Sequence, residues 1–187
     1  MSKQSKFEEK VISEKNIFKG NVVDLSVQDV KLPDGSTSTR EVIKHNGGVG
    51  IILIQDDKIA LVRQWRAPMA KETLEIPAGK IDIGETDFKK VAKRELREET
   101  GFQADDLVLV DKFYCSVGYS NEMFYTFFAV NPKREFDDLK LDSDEFLNVE
   151  WFTLEEINKQ IEQEFICDAK TLLAINYWQM NRGSQYG

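Results

Sequence analysis

The chain has 187 residues, 41% of them hydrophobic and 31% charged, the make-up of a water-soluble globular protein with one well-buried core. Its net charge of −8 argues against a nucleic-acid backbone as ligand, because that needs clustered Lys and Arg. Any phosphate must be met locally, and no stretch approaches the roughly 20 apolar residues of a membrane helix. Residues 1–10 are polar and charged with no apolar signal-peptide core, so a cytoplasmic location is expected. Cys115 and Cys167 lack metal-ligand spacing and are expected to be buried, reduced thiols. The single histidine, His45, has no acid or thiol near it in sequence and makes no case for a histidine-based triad.

In chain order, residues 7–14 carry a short amphipathic pattern without turn signals and are assigned to no element. Residues 22–30 mix alternation with β-branched side chains and predict a strand. Leu32-Pro33-Asp34-Gly35 predicts a turn, and residues 37–44 return as a second strand. A hairpin alone is marginally stable, so this segment must pack on the rest of the chain or on a second subunit. Asn46-Gly47-Gly48 marks a boundary between an N-terminal segment, residues 1–46, and a main domain, residues 47–187. Residues 49–55 and 58–64 are apolar runs joined by Asp56-Asp57 and predict a second hairpin, and residues 74–79 predict a further strand.

The most informative stretch runs from Gly79 to Phe102. Thr86 and Asp87 are candidate N-caps of a helix, and Thr100-Gly101 supplies its C-terminal glycine. At about 100° per residue, Phe88, Val91 and Ala92 point one way and Lys89, Lys90, Lys93 and Arg97 the other. Glu95, Glu98 and Glu99 fall on the apolar side. Like charges on a partly buried face are costly unless a cation compensates them, and oxygen ligands suit Mg²⁺ or Mn²⁺ rather than zinc. The plain alternative is a surface helix with a glutamate-rich edge.

Beyond the helix, residues 107–115 and 123–130 predict strands, with Ser116-Val117-Gly118-Tyr119-Ser120-Asn121-Glu122 as the loop between them. An acidic loop follows at residues 139–145 and a last strand at 149–152. Thr153 and Glu156 form a capping box opening a helix to about residue 164, and Asp168 caps a final helix. The elements together predict an α/β fold, a mixed sheet with helices on both faces.

Gly79, five residues, Glu85, then Arg94-Glu95-Leu96-Arg97-Glu98-Glu99-Thr100-Gly101-Phe102 resembles the Nudix signature. Eight residues separate Glu85 from Arg94 where the usual pattern has seven, and the extra one is placed in the loop around Thr86. Residues 63–83 resemble the ADP-ribose pyrophosphatase branch of that family. In that branch the loop at Ser116 usually reads Ser-Pro-Gly, and Val117 stands in place of the marker proline. The resemblance implies a Nudix fold, an α/β/α sandwich with a mixed sheet, plus an N-terminal antiparallel β subdomain. It implies Mg²⁺-dependent hydrolysis of ADP-ribose to AMP and ribose 5-phosphate, with Mn²⁺ as a possible substitute. Another nucleoside diphosphate sugar or a dinucleotide is the alternative substrate, and a non-hydrolytic nucleotide-sensing module is the alternative outside enzymes.

By the same resemblance, Glu95, Glu99 and the Ala78 carbonyl are metal ligands, with Glu98 close by. Glu85 and Arg94 pair with each other or orient the ligands. Arg66 contacts the diphosphate, and Ser116, Gly118 and Glu122 belong to the substrate loop. Arg40 and Glu41 match a pair that reaches the adenine across a homodimer formed through the N-terminal segment. For the general base, Ser143 stands where relatives carry one glutamate and Glu145 where they carry another. Either Glu145 is the base, or it is a ligand and Glu98 or Asp144 does the proton work.

Overall fold

The computed structural model describes residues 5–135 and 146–182. The chain divides into two compact units, one holding the residues up to Gly47 together with Tyr114–Met123, the other holding Gly48–Phe113 and the residues from Phe124 onward.

The first unit is a three-stranded antiparallel sheet of β1 (Lys10–Lys19), β2 (Asp24–Lys31) and β3 (Thr37–Lys44), in that order. The predicted hairpin is β2–β3, turned at Gly35, whose φ of 90° suits glycine. Asp34 reinforces the turn by accepting from the Ser36 N–H at 2.9 Å. β1 is an element the sequence did not declare. All ten of its residues are exposed, and two irregularities in its register with β2, between Val11 and Ser13 and between Asn16 and Phe18, break the two-residue alternation.

The second unit contains two sheets. The first runs β8 (Ala78–Lys80), β4 (Gly48–Ile52), β10 (Met123–Arg134), β9 (Phe102–Tyr114), with β4 parallel to β10 and antiparallel to β8. The second runs β11 (Leu147–Phe152), β6 (Lys58–Arg66), β5 (Ile54–Gln55), and β7 (Lys71–Glu75) also pairs with β6. This corrects two predicted strands. The run at residues 49–55 leaves the first sheet after Ile52, and only β5 forms the hairpin with β6. The run at 74–79 divides at Pro77, which has no N–H for a ladder, with β7 in one sheet and β8 in the other. Both runs are buried on both faces where they change sheets, so no alternation of exposure marks the change.

Three helices complete the unit: α1 (Phe88–Thr100), α2 (Leu154–Glu162) and α3 (Ala169–Asn181). Asp87 caps α1 by accepting from Lys90 N–H, and Gly101 closes it in the left-handed conformation. The helix is unbroken from Phe88, so Arg94 to Phe102 keep their mutual spacing whatever the length of the loop before them. The predicted capping box of α2 is present, and Asp168 caps α3 through Thr171 N–H. Neighbouring residues enter opposite cores: Ile51, Ala60 and Phe127 face α1, whereas Ile52, Leu61 and Phe128 join the cluster of Ile157 from α2 and Ile175 and Trp178 from α3. Helical layers therefore cover the β layer on both sides.

Cys115 and Cys167 are both exposed rather than buried: one follows the end of β9 and the other lies in the connection between α2 and α3. Among the described residues no helix is long and apolar enough to cross a membrane.

Candidate active site

The site is built where the last two turns of α1 meet the corner between Pro77 and β8. Ala78 N–H donates to the Glu99 carboxylate at 2.9 Å. Next to it Gly79 lies so close to Glu95 that a Cβ there would overlap the Glu95 carboxyl group. Both acids are nearly enclosed, Glu95 at 8% and Glu99 at 3% exposure. The corner itself is anchored: Ile51 N–H donates to the Pro77 carbonyl at 2.9 Å, and Ile76 N–H to the buried Thr171 hydroxyl at 3.0 Å.

Arg94 compensates this wall of acids, with its guanidinium 2.7 Å from Glu95 and 2.8 Å from Glu98. Burial works to lower the Arg94 pKa, but Glu95, Glu98 and the more distant Glu85 outweigh it, and the group is held charged. Glu85 itself closes the preceding turn by accepting from Asp82 N–H at 2.9 Å. Among the described residues no three His, Cys, Asp or Glu side chains are already gathered around one point as a metal cage. The donor chemistry nevertheless fits a hard divalent cation: Glu95 and Glu99 are oxygen donors on one helix face, the Ala78 backbone lies against them, and Gly79 keeps the space clear.

Arg66, at the end of β6, makes a two-pronged pair with Glu75 of β7, both bonds 2.6 Å. Glu75 also accepts from Thr73 Oγ1 at 2.7 Å and pairs with Lys170 of α3, which in turn contacts Asp168 at 2.7 Å. Glu99 adds to the electrostatic hold on Arg66.

Arg40, Glu41, Ser116, Gly118 and Glu122 lie in the first unit. The Arg40 guanidinium is held by Glu9 at 2.6 and 2.9 Å, by Ser38 Oγ at 3.0 Å and by the Thr39 carbonyl at 2.8 Å. Glu41 is its neighbour on β3, and adjacent strand residues point to opposite faces, so the two do not present a joint surface. The loop after β9 is tied to β3: Ile43 N–H donates to Tyr119 O at 2.7 Å and Asn121 N–H to Ile43 O at 3.2 Å. The Ser116 carbonyl accepts from Tyr119 and Ser120, while Val117 is 81% exposed. Gly118 has open space where a Cβ would be, so packing does not require glycine there. Glu122 lies 3.7 Å from His45 Nδ1, which accepts from Gly47 N–H at 3.0 Å. Glu145, with Asp142, Ser143 and Asp144, falls outside the described residues.

The sequence profile of the NUDIX domain matches residues 44–173. The chain belongs to the Nudix family. Among its relatives, the ADP-ribose pyrophosphatase of Bacillus subtilis (strain 168) is 42% identical over 179 residues, 95% of this chain and 96% of that one. The methanol dehydrogenase activator of Bacillus methanolicus is 39% identical over 181 residues, 96% and 97% of the two chains. A crystal structure of an ADP compounds hydrolase shares the fold, with a TM-score of 0.83 at 23% identity, over 97% of this chain and 100% of that one.

The Nudix helix was readable from its spacing; the Arg66 cluster was not. Glu75 carried one signal, a charge between the apolar Leu74 and Ile76, all three of them buried. Lys170 carried another, a cation in the first turn of a helix, where the macrodipole disfavours it unless an anion is near. Burial works to raise the Glu75 pKa, but hydrogen bonds from Arg66, Lys170 and Thr73 and the Lys170 charge pull it from the ordinary 4.5 down to about 2. A carboxyl depressed in the folded state stabilises the fold fully above its unfolded pKa and loses that contribution as pH falls through the folded value. Glu75→Gln is therefore expected to be less stable than the wild type at pH 7, and the gap to narrow as pH drops from about 4.5 toward 2. Denaturant unfolding across that range checks this; a gap that does not change with pH would contradict it.

Proposed function

We propose that this Nudix hydrolase cleaves the pyrophosphate bond of ADP-ribose, yielding AMP and ribose 5-phosphate, with Mg²⁺ as its cofactor. The observation that carries the reading is the enclosure of Glu95 and Glu99 against the Ala78–Gly79 backbone. Beside the single Arg94 guanidinium these carboxylates form an oxygen-rich lining of the kind that suits a hard divalent cation. The 42% identity to an ADP-ribose pyrophosphatase across nearly the whole chain supports the substrate.

In this reading Glu95, Glu99 and the Ala78 carbonyl hold the cation, which when bound neutralises diphosphate charge and polarises a water. Arg94 keeps Glu95 and Glu98 in place through its two ion pairs. Arg66 offers guanidinium N–H groups to the diphosphate oxygens. Water attacks one phosphorus; the new P–O bond replaces the bridging P–O bond, and the displaced phosphate leaves with the electron pair. The proton goes to a carboxylate, Glu98 or Glu145. The exposed Val117, in place of a proline, favours a second reading in which another nucleoside diphosphate sugar or a dinucleotide is cleaved by the same steps.

We also infer a homodimer formed through the N-terminal unit. β1 is an edge strand presenting Val11, Ile12, Ile17 and Phe18, each at least half exposed, the kind of surface a partner covers. A cytoplasmic setting belongs to the same reading, since Cys167 is an exposed thiol suited to a reducing compartment.

Phosphate release with Mg²⁺ and a coupling phosphatase, across ADP-ribose, sugar nucleotides, dinucleotides and nucleoside triphosphates, is expected to show selective cleavage of ADP-ribose. Preference for another diphosphate would move the substrate, and no cleavage at all would favour a sensing module. Glu99→Gln, which still accepts the Ala78 N–H, should abolish turnover with little change in Tm; retained activity would sink the metal assignment. Sedimentation should give a dimer that Phe18→Glu splits, and a monomeric wild type would refute the interface.

A further inference from the structure

Arg66 and Glu75 are unequally placed. Glu75 is 3% exposed, while the Arg66 side chain is 41% exposed. The bonds use Nε and Nη2 of the guanidinium and both oxygens of the carboxylate, so the plane of the arginine is set by its anchor. Among the described residues the Nη1 edge has no hydrogen-bond partner. The anchor is itself fixed, because Thr73 donates to one Glu75 oxygen and Lys170 to the other. Lys170 is held by Asp168, the cap of α3.

Arg66, Glu75, Lys170 and Asp168 sum to zero charge. What Arg66 adds to the site is therefore direction rather than net charge: a pair of donors aimed from a buried support. The pair with Glu75 leaves the exposed edge of Arg66 with donors that it does not use.

We propose that Glu75 is a positioning residue for diphosphate binding, a buried carboxylate that, braced by Lys170 and Thr73, holds the Arg66 guanidinium with its Nη1 edge turned to the substrate. This rests on the reading of the site as one that binds a nucleoside diphosphate.

The test uses the full chain with Mg²⁺ and two readouts, kcat and KM for ADP-ribose and calorimetric binding of ADP, for the wild type, Glu75→Gln, Arg66→Ala, Arg66→Lys and the Glu75→Gln/Arg66→Ala pair. Each single variant is expected to weaken ADP binding about tenfold, the scale of one charge-assisted hydrogen bond. The double variant should be no weaker than Arg66→Ala, because the anchor has nothing left to hold. Arg66→Lys keeps the charge but cannot make the fork, and should bind as poorly as Arg66→Ala. Losses that multiply in the double variant, or a Glu75→Gln protein with lowered Tm and wild-type ADP affinity, would overturn the proposal. If Glu75→Gln does not fold, Arg66→Lys decides: wild-type affinity there would overturn it. Wild-type protein that binds ADP without cleaving ADP-ribose would sink the proposed substrate alone, and one that binds no ADP would sink both.

Discussion

The close approach of α1 to the Ala78–Gly79 backbone is the contact on which the rest of this site depends. The Glu95 carboxyl can lie there only because position 79 has no side chain, and the Ala78 N–H beside it donates to Glu99. Pro77 stands between the two strands at this corner, where the chain leaves β7 in one sheet and starts β8 in the other. The buried faces of α1 and the strands beneath it then fix the distance, since Val91, Ala92 and Leu96 pack into the same core as Val49 and Ile51. Core packing and acid placement are thus one arrangement seen from two sides.

Burying charge is costly, and the second unit does it twice by different means. Glu95 and Glu98 share Arg94, a neighbour on the same helix, so their compensation is local and moves with α1. Glu75 takes its cations from elsewhere, Arg66 from β6 and Lys170 from α3. Removing one partner of such a cluster leaves an uncompensated charge in a low-dielectric setting, which is far more harmful than never having built the pair. In the proposed reading these groups stand beside a bound diphosphate, and orienting donors toward a polyanion fits the geometry of the Arg66–Glu75 pair.

How far the sequence reveals this depends on the range of each interaction. The Nudix helix was legible from N-cap to glycine because caps, period and box acids all lie within one short stretch. The capping box of α2 and the turn at Gly35 were legible for the same reason. β1 was not, since its irregular pairing hides the alternation, and neither was the division of two apolar runs between sheets, because residues buried on both faces have no periodicity to read. The partners of Arg66 come from positions 75 and 170, a distance across which a single sequence carries no pairing signal. The exposed cysteines show the converse error: a residue type that is usually buried says little about a particular loop.

The proposed function stands or falls with a divalent-metal centre built from the acids of α1 and the Ala78 backbone. Anomalous diffraction from crystals grown with Mn²⁺ and a non-hydrolysable ADP-ribose analogue tests it most directly. A peak is expected in contact with the carboxyl oxygens of Glu95 and Glu99 and with the diphosphate of the analogue. A bound analogue with no peak there, or with the metal held elsewhere, would contradict it.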